Sequence, residues 1–262
     1  MGIQSVERAL NILQLFSPSK TRLGISEMSK ALGLMNSTVH GLVRTLANKG
    51  FLRQDPETRK YSLGVSNLEL SHFFLGGLKI YQVGSRPTHR LARKTGLTSR
   101  LGIWDQDTVV VILNIFARPE AFQYYPTGPR VPAYCSAMGK AILASLATKD
   151  LTAYFERHHF IPYTAHTLTD RQKLMEDLEQ TRLRGYAVDR EESLSGVFCL
   201  GAPIFDETKR PVAAVSVSSG PDLLDEKRLT QTAQELVQVS KEISHSMGFQ
   251  PEVAVFQYGQ NP

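Results

Sequence analysis

Apolar residues recur at helical spacing from the start of the chain. Ser5 is placed to cap a first helix whose apolar face is Val6, Ala9, Leu10, Leu13 and Phe16, and Ser17-Pro18-Ser19 ends it. Ile25 and Ser26 read as the staple and N-cap of a second helix over 27–32. Met28, Ala31 and Leu32 face inward there, and Gly33 is the left-handed stop. Asn36 or Ser37 caps a third helix reaching residue 49, with an apolar stripe of Val39, Leu42, Val43 and Leu46 and a stop at Gly50. Two short strands, 51–54 and 60–63, follow around the turn residues Asp55-Pro56-Glu57-Thr58.

Over 65–80 the pattern changes. Leu68, Leu70, Phe73, Phe74, Leu75, Leu78 and Ile80 are apolar around most of a helix, as suits a linker helix that also dimerises. The other reading is a helix packed only within its own chain, and Gly76-Gly77 is placed to kink it. Beyond it the spacing predicts a helix over 81–95 and paired strands over 98–104 and 109–116. A third strand is predicted over 122–126, and helices over 137–146 and 169–183. Strands over 186–190, 198–205 and 212–218 and a last helix over 225–247 complete the chain. Helices alternating with antiparallel hairpins imply an α/β sensor-like second domain. The expected whole is α+β, with domains at 1–64 and 81–250 joined by the linker 65–80.

The third helix carries the first chemistry. Opposite its apolar stripe lie Ser37, Thr38, His40, Gly41 and Arg44. Short hydrogen-bonding groups at the start of a helix, with a bidentate donor one turn on, suit insertion into a DNA major groove. Gly41 removes bulk where helix and duplex would come closest. Arg53, Arg59 and Lys60 make the following hairpin basic, as in a wing laid along phosphates. The order of cap, turn, stripe, stop and hairpin is that of a winged helix-turn-helix. The competing reading is a small helical subdomain with an ordinary solvated face.

Charge supports the DNA reading once it is divided. Residues 1–64 hold nine Lys/Arg against four Asp/Glu, while the other 198 residues hold 21 of each. The excess positive charge sits wholly in the segment that reads as a DNA binder. No apolar run approaches the roughly 20 residues of a membrane span. Polar Gln4, Ser5, Glu7 and Arg8 break the start, so no secretory leader is expected. Cys135 and Cys199 form no disulfide framework or zinc pattern, which fits a reducing cytoplasm. His158, His159 and His166 lack an HExxH-type pairing, and no base motif accompanies a cysteine, so neither a metal, a cofactor nor catalysis is expected.

Several stretches carry a resemblance. They are Ser136-Ala137-Met138-Gly139-Lys140-Ala141-Ile142-Leu143-Ala144, Tyr163-Thr164-Ala165-His166-Thr167-Leu168-Thr169-Asp170 and Arg184-Gly185-Tyr186-Ala187-Val188-Asp189-Arg190-Glu191-Glu192. Gly196, Cys199, Gly201-Ala202-Pro203-Ile204 and Val215-Ser216-Val217-Ser218 complete the set. With the N-terminal pattern, over about residues 5–247, the chain resembles the IclR family of bacterial transcription regulators. The resemblance implies a GAF-like effector-binding domain, a dimer or dimer of dimers, and DNA binding altered by a small metabolite. It places Ser136, Ala137 and Gly139 at a helix end open to a ligand carboxylate, and Asp189, Cys199, Ser216 and Ser218 along the cavity. Two other uses of such a chain stand beside this one: an architectural DNA binder without ligand, and an enzyme working in the C-terminal pocket.

Arg100 departs from the pattern, standing where the family more often has an uncharged polar residue. Alternation puts Thr98, Arg100 and Gly102 on one strand face and Ser99, Leu101 and Ile103 on the other. Either Arg100 faces solvent, or it faces the cavity and makes a carboxylate the fitting ligand. Trp104, Phe122, Tyr124 and Tyr134 would then admit an aromatic acid.

Overall fold

The computed structural model describes residues 2–117, 129–220 and 225–250, which form two compact units divided between Leu78 and Lys79. The expected strand at 122–126, with Phe122 and Tyr124, lies outside the described residues.

In the first unit α1 (Gln4–Gln14), α2 (Ile25–Leu32) and α3 (Asn36–Asn48) precede the hairpin β1 (Leu52–Gln54) and β2 (Tyr61–Leu63). Ile12, Met28, Val39, Val43, Leu52 and Tyr61 are its core. The α1 face expected from periodicity is rotated. Ile12 is buried, whereas Val6 and Leu10 are exposed, because the apolar stripe is wider than the contact with α3. The caps also move. α2 starts at Ile25 with Gly24 as N-cap, and Glu27 Oε2 accepts the Gly24 N–H at 2.6 Å, so Ser26 caps nothing. α3 starts at Asn36 behind Met35, with no side-chain cap. Gly33 takes φ +64° and Gly50 φ +74°, as the expected stops require. The Leu23–Tyr61 bridge adds a third short segment to the hairpin.

α4 (Ser66–Gly77) and α5 (Lys79–Thr95) replace the single linker helix expected over 65–80. They are separated by Leu78, which is extended at φ −83°, ψ 113°. α4 buries none of its residues.

The second unit is built on a six-stranded antiparallel sheet in the order β5-β4-β3-β8-β7-β6. Its strands are β3 (Thr98–Asp105), β4 (Thr108–Ile115), β5 (Arg130–Pro132), β6 (Ala187–Arg190), β7 (Phe198–Phe205) and β8 (Pro211–Ser219). α5 and α9 (Glu226–Met247) cover one face: a Cβ on Gly84 of α5 would meet the side chains of Leu101 and Ile243. α6 (Ala137–Ser145), with α8 (Arg171–Arg184) behind it, covers the other. α7 (Thr148–Arg157), which pattern reading passed over, packs Leu151, Tyr154 and Phe155 against Tyr134 and Leu143. Two glycines let α6 lie directly on the sheet. A Cβ on Gly139 would stand 2.2 Å from the Ala133 Cα, and one on Gly201 2.5 Å from the Ala137 carbonyl carbon. Only a residue without a Cβ permits that approach.

Candidate functional site

The first unit presents a basic, hydrogen-bonding surface. Ser37, His40, Gly41 and Arg44 are exposed along α3 and Thr38 is half-buried at its first turn. A Cβ on Gly41 would meet nothing within 4 Å, so the fold itself does not demand glycine there. In the hairpin Arg53 pairs with Ser62 in register, and Asp55 organises the turn by accepting the Glu57 and Thr58 N–H groups. Those bonds, the Thr58 one foremost, hold the Asp55 carboxyl below its ordinary pKa. Arg59 sits at φ +58° and leaves its side chain exposed beside Lys60. Lys60 lies 3.4 Å from Glu27 and Arg22 3.1 Å from Asp55. Exposed pairs of this kind are weak, so they leave both cations able to turn to a phosphate.

The second unit gathers the other expected residues into one buried polar row. Arg100 on β3 faces Ser216 on β8 in register. Ser218 faces Cys199 on β7, and Cys199 faces Asp189 on β6. All five share the sheet face that α6 covers. The solvated alternative for Arg100 is therefore wrong: the residue is only 3% exposed. Its Nε donates to Asn114 Oδ1 at 2.8 Å and an Nη donates to Ser218 Oγ, which lies 3.1 Å from Cys199 Sγ. Asn114 was not anticipated, since only the β3–β4 register brings it opposite Arg100.

Burial sets the ionisation of this row. It raises the Asp189 carboxyl above its usual range, opposed by bonds from Ser193 Oγ at 2.7 Å and the Glu192 N–H at 2.7 Å. It pushes the Cys199 thiol up to about 12. A thiol held protonated there is a weak hydrogen-bonding group and no nucleophile at neutral pH.

Ser136 is the N-cap of α6. Its Oγ accepts the Gly139 N–H at 3.2 Å and donates to the Pro132 carbonyl at 2.7 Å. Gly139 thus has its donor taken, contrary to the expectation that it would meet a ligand, and serves packing. The Ala137 and Met138 N–H groups remain as the open donors of that turn among the described residues.

One group of residues was missed altogether. Lys140 of α6 is fully buried, with Nζ 2.6 Å from Glu192 Oε1 and 2.8 Å from Asp177 Oδ2. A lysine inside the otherwise apolar run 137–144 was the signal for it. Glu192 also donates its N–H to Asp189, so the ion cluster abuts the polar row.

Two family descriptions match this architecture: the IclR helix-turn-helix domain over residues 5–56, and the bacterial transcriptional regulator IclR C-terminal over residues 72–245. The chain belongs to the IclR family. It is a DNA-binding transcription regulator with a helix-turn-helix N-terminal domain and an α/β C-terminal domain. It is 38% identical over 247 residues to the HTH-type transcriptional regulator XynR of Escherichia coli K12, covering 94% of this chain and 98% of that one. Among solved structures it resembles the IclR of Thermotoga maritima, at 28% identity and TM-score 0.78, over 95% of this chain and all of that one. A similar fold occurs in an IclR homologue from Microbacterium hydrocarbonoxydans complexed with 4-hydroxybenzoate. There the identity is 20% and the TM-score 0.79, over 93% and 98% of the two chains. Such relatives are regulators rather than enzymes. No helix among the described residues is long and apolar enough to cross a membrane.

Proposed function

We propose that operator binding by this IclR-family regulator is controlled by a small organic acid, an aromatic one fitting best, held at the polar row of the C-terminal domain. The observation that carries the reading is Arg100: a guanidinium inside the domain, aligned by Asn114 and Ser218 on the face where α6 begins. A planar carboxylate matches a guanidinium in both charge and shape. The Ala137 and Met138 N–H groups at the start of α6 add partial positive charge. Asp189, Cys199, Ser216 and Ser218 supply polar contacts that orient the remainder of the ligand, while Ser136 and Gly139 hold the helix end in place. The 4-hydroxybenzoate carried by the Microbacterium relative belongs to this chemical class.

On the DNA side, Ser37, Thr38, His40, Gly41 and Arg44 read the major groove and Arg53, Arg59 and Lys60 follow the backbone. α4, with Phe73 and Phe74 exposed, forms the contact of a homodimer, whose two recognition helices meet successive turns of a near-palindromic operator in the cytoplasm. The acid shifts DNA affinity by its differential affinity for two arrangements of the dimer.

Calorimetric titration with 4-hydroxybenzoate and related acids tests the reading, with an operator gel shift in parallel. An acid that binds and changes operator affinity supports it, provided Arg100→Ala weakens that binding at least tenfold. Unchanged affinity of the effective acid for Arg100→Ala removes Arg100 from the site.

A further inference from the structure

One cavity of the second unit shares no residue with the polar row. It measures about 800 Å³ and lies between the α6–α7 corner, the end of α8 and the last turns of α9. Its floor is apolar, formed by Ala141 and Ala144 of α6, Pro203 and Phe205 of β7, Val237 of α9, and Phe249, which stacks on Phe205 at 5.1 Å. It is a half-open cleft of the size ligand sites commonly have. The small side chains of α6 create the room.

The charge lining the cavity is one-sided. Among the described residues Arg182, Lys241 and His245 face it and no Asp or Glu does. A neighbouring cavity of about 390 Å³ shares Val237 and Lys241, adds Arg184, and again has no acidic lining. Arg182 and His245 stand in the last turns of α8 and α9, where cations also offset the helix dipole. That account does not cover Lys241, which lies more than a turn before the end of α9. Two acids of α9 near the cavity are meanwhile committed on another flank: Glu235 to Lys94 and Glu242 to Arg90, both of α5. The second half of α9 thus turns Glu235 and Glu242 to α5 and Lys241 to the opening. The hydroxyls here are spent on the frame. Ser240 donates to the Pro203 carbonyl, and Ser244 accepts the Phe205 N–H at 3.1 Å. Recognition is left to an apolar floor and a cationic rim.

We infer that this cavity is a second ligand site, for an amphipathic organic anion with an aliphatic or aryl body and one acidic head near Lys241 and Arg182. It is independent of the acid site proposed at Arg100. The proposal is tested by calorimetric titration of the full chain with octanoate, using 1-octanol as the uncharged counterpart. Octanoate should bind saturably at one site per chain and octanol at least tenfold more weakly. Lys241→Glu, an exposed change that leaves the core intact, should weaken octanoate at least tenfold, and Val237→Trp should abolish its binding by filling the groove. No saturable binding, or equal affinity of octanoate for Lys241→Glu and the unchanged protein, overturns the proposal. So does an octanoate affinity that falls in Ser218→Ala and not in Lys241→Glu, which would place the acid at the polar row. The Arg100 reading stands or falls separately, on its own acids and its own variant.

Discussion

Lys140 Nζ lies 2.6 Å from Glu192 Oε1 with the lysine side chain 0% and the glutamate side chain 6% exposed. With Asp177 at 2.8 Å, the lysine ties α6 to α8 and to the loop after β6. Removing one partner of a buried ion pair leaves the other charge without compensation, at a cost of about 3–5 kcal/mol. Lys140→Met should therefore lower the unfolding free energy by that amount in urea titrations of the full protein. A loss below about 1 kcal/mol would show that the cluster does not hold α6 in place.

The same cluster gives a pH dependence with a definite sign. Burial pushes the Glu192 carboxyl up to about 7 from an ordinary 4.5, against the opposing pull of Lys140. In the unfolded chain this group ionises near 4.5, whereas the folded protein keeps its proton until about 7. Its contribution to stability is thus full below about 4.5 and is lost as pH rises through 7. Asp189, raised by burial, acts in the same direction. Tm should fall between pH 5 and 7.5, and Glu192→Gln should flatten that slope. A Tm that rises over the window contradicts the assignment.

Ser37, His40 and Arg44 are exposed along α3 beside the half-buried Thr38, and Arg44 is the proposed base reader. Arg44→Ala should weaken operator binding by about 1–3 kcal/mol, with a smaller effect on random duplex, if it reads a base edge. Equal losses on both DNAs make it a phosphate contact. Lys60→Ala should instead lower the salt slope of binding by about one unit.

α4 exposes Leu68, Leu70, Phe73 and Phe74, and α1 with its N-cap exposes Ile3, Val6 and Leu10. Large exposed apolar side chains on one helix suit the proposed dimer contact of α4. Phe73→Ser with Phe74→Ser should raise the dimer dissociation constant at least tenfold in sedimentation equilibrium, with operator affinity falling alongside. An unchanged mass at low micromolar concentration would remove α4 from the interface.

Gly201→Ala places a methyl group 2.5 Å from the Ala137 carbonyl carbon. Backbone cannot yield as a side chain does, so about 1–3 kcal/mol of stability should be lost and α6 should lift from β7. Chemical denaturation measures the first effect. Weaker binding of the effective acid in the calorimeter measures the second.

Much of this architecture was legible because its signals are local. Gly33 and Gly50 stop helices at positive φ, and Asp55 begins a turn. What escaped depends on distance or on competition. The caps of α2 and α3 went to backbone and to Glu27 because Ser26 and Ser37 sit inside the helices. The buried side of α1 depends on where α3 lies, which periodicity alone does not give. α7 is short, lacks a side-chain cap and is half polar. Of the candidate effector residues, all lie on or beside one sheet face, but the partners that decide their chemistry, Asn114 for Arg100 and Glu192 for Asp189, come from register and from a loop.

The glycines under α6 have a consequence for how such a protein could change its chemical allegiance. One side of the proposed acid site is backbone laid on backbone, at Gly139 against Ala133 and Gly201 against Ala137, so no substitution there can reshape it without dislodging the helix. The facing wall is made of side chains, Arg100 and Asn114 foremost. If the proposed site holds, new ligand preferences are open to this scaffold through the strands β3 and β4, while the helix end keeps the same two N–H groups whatever side chains the strands carry.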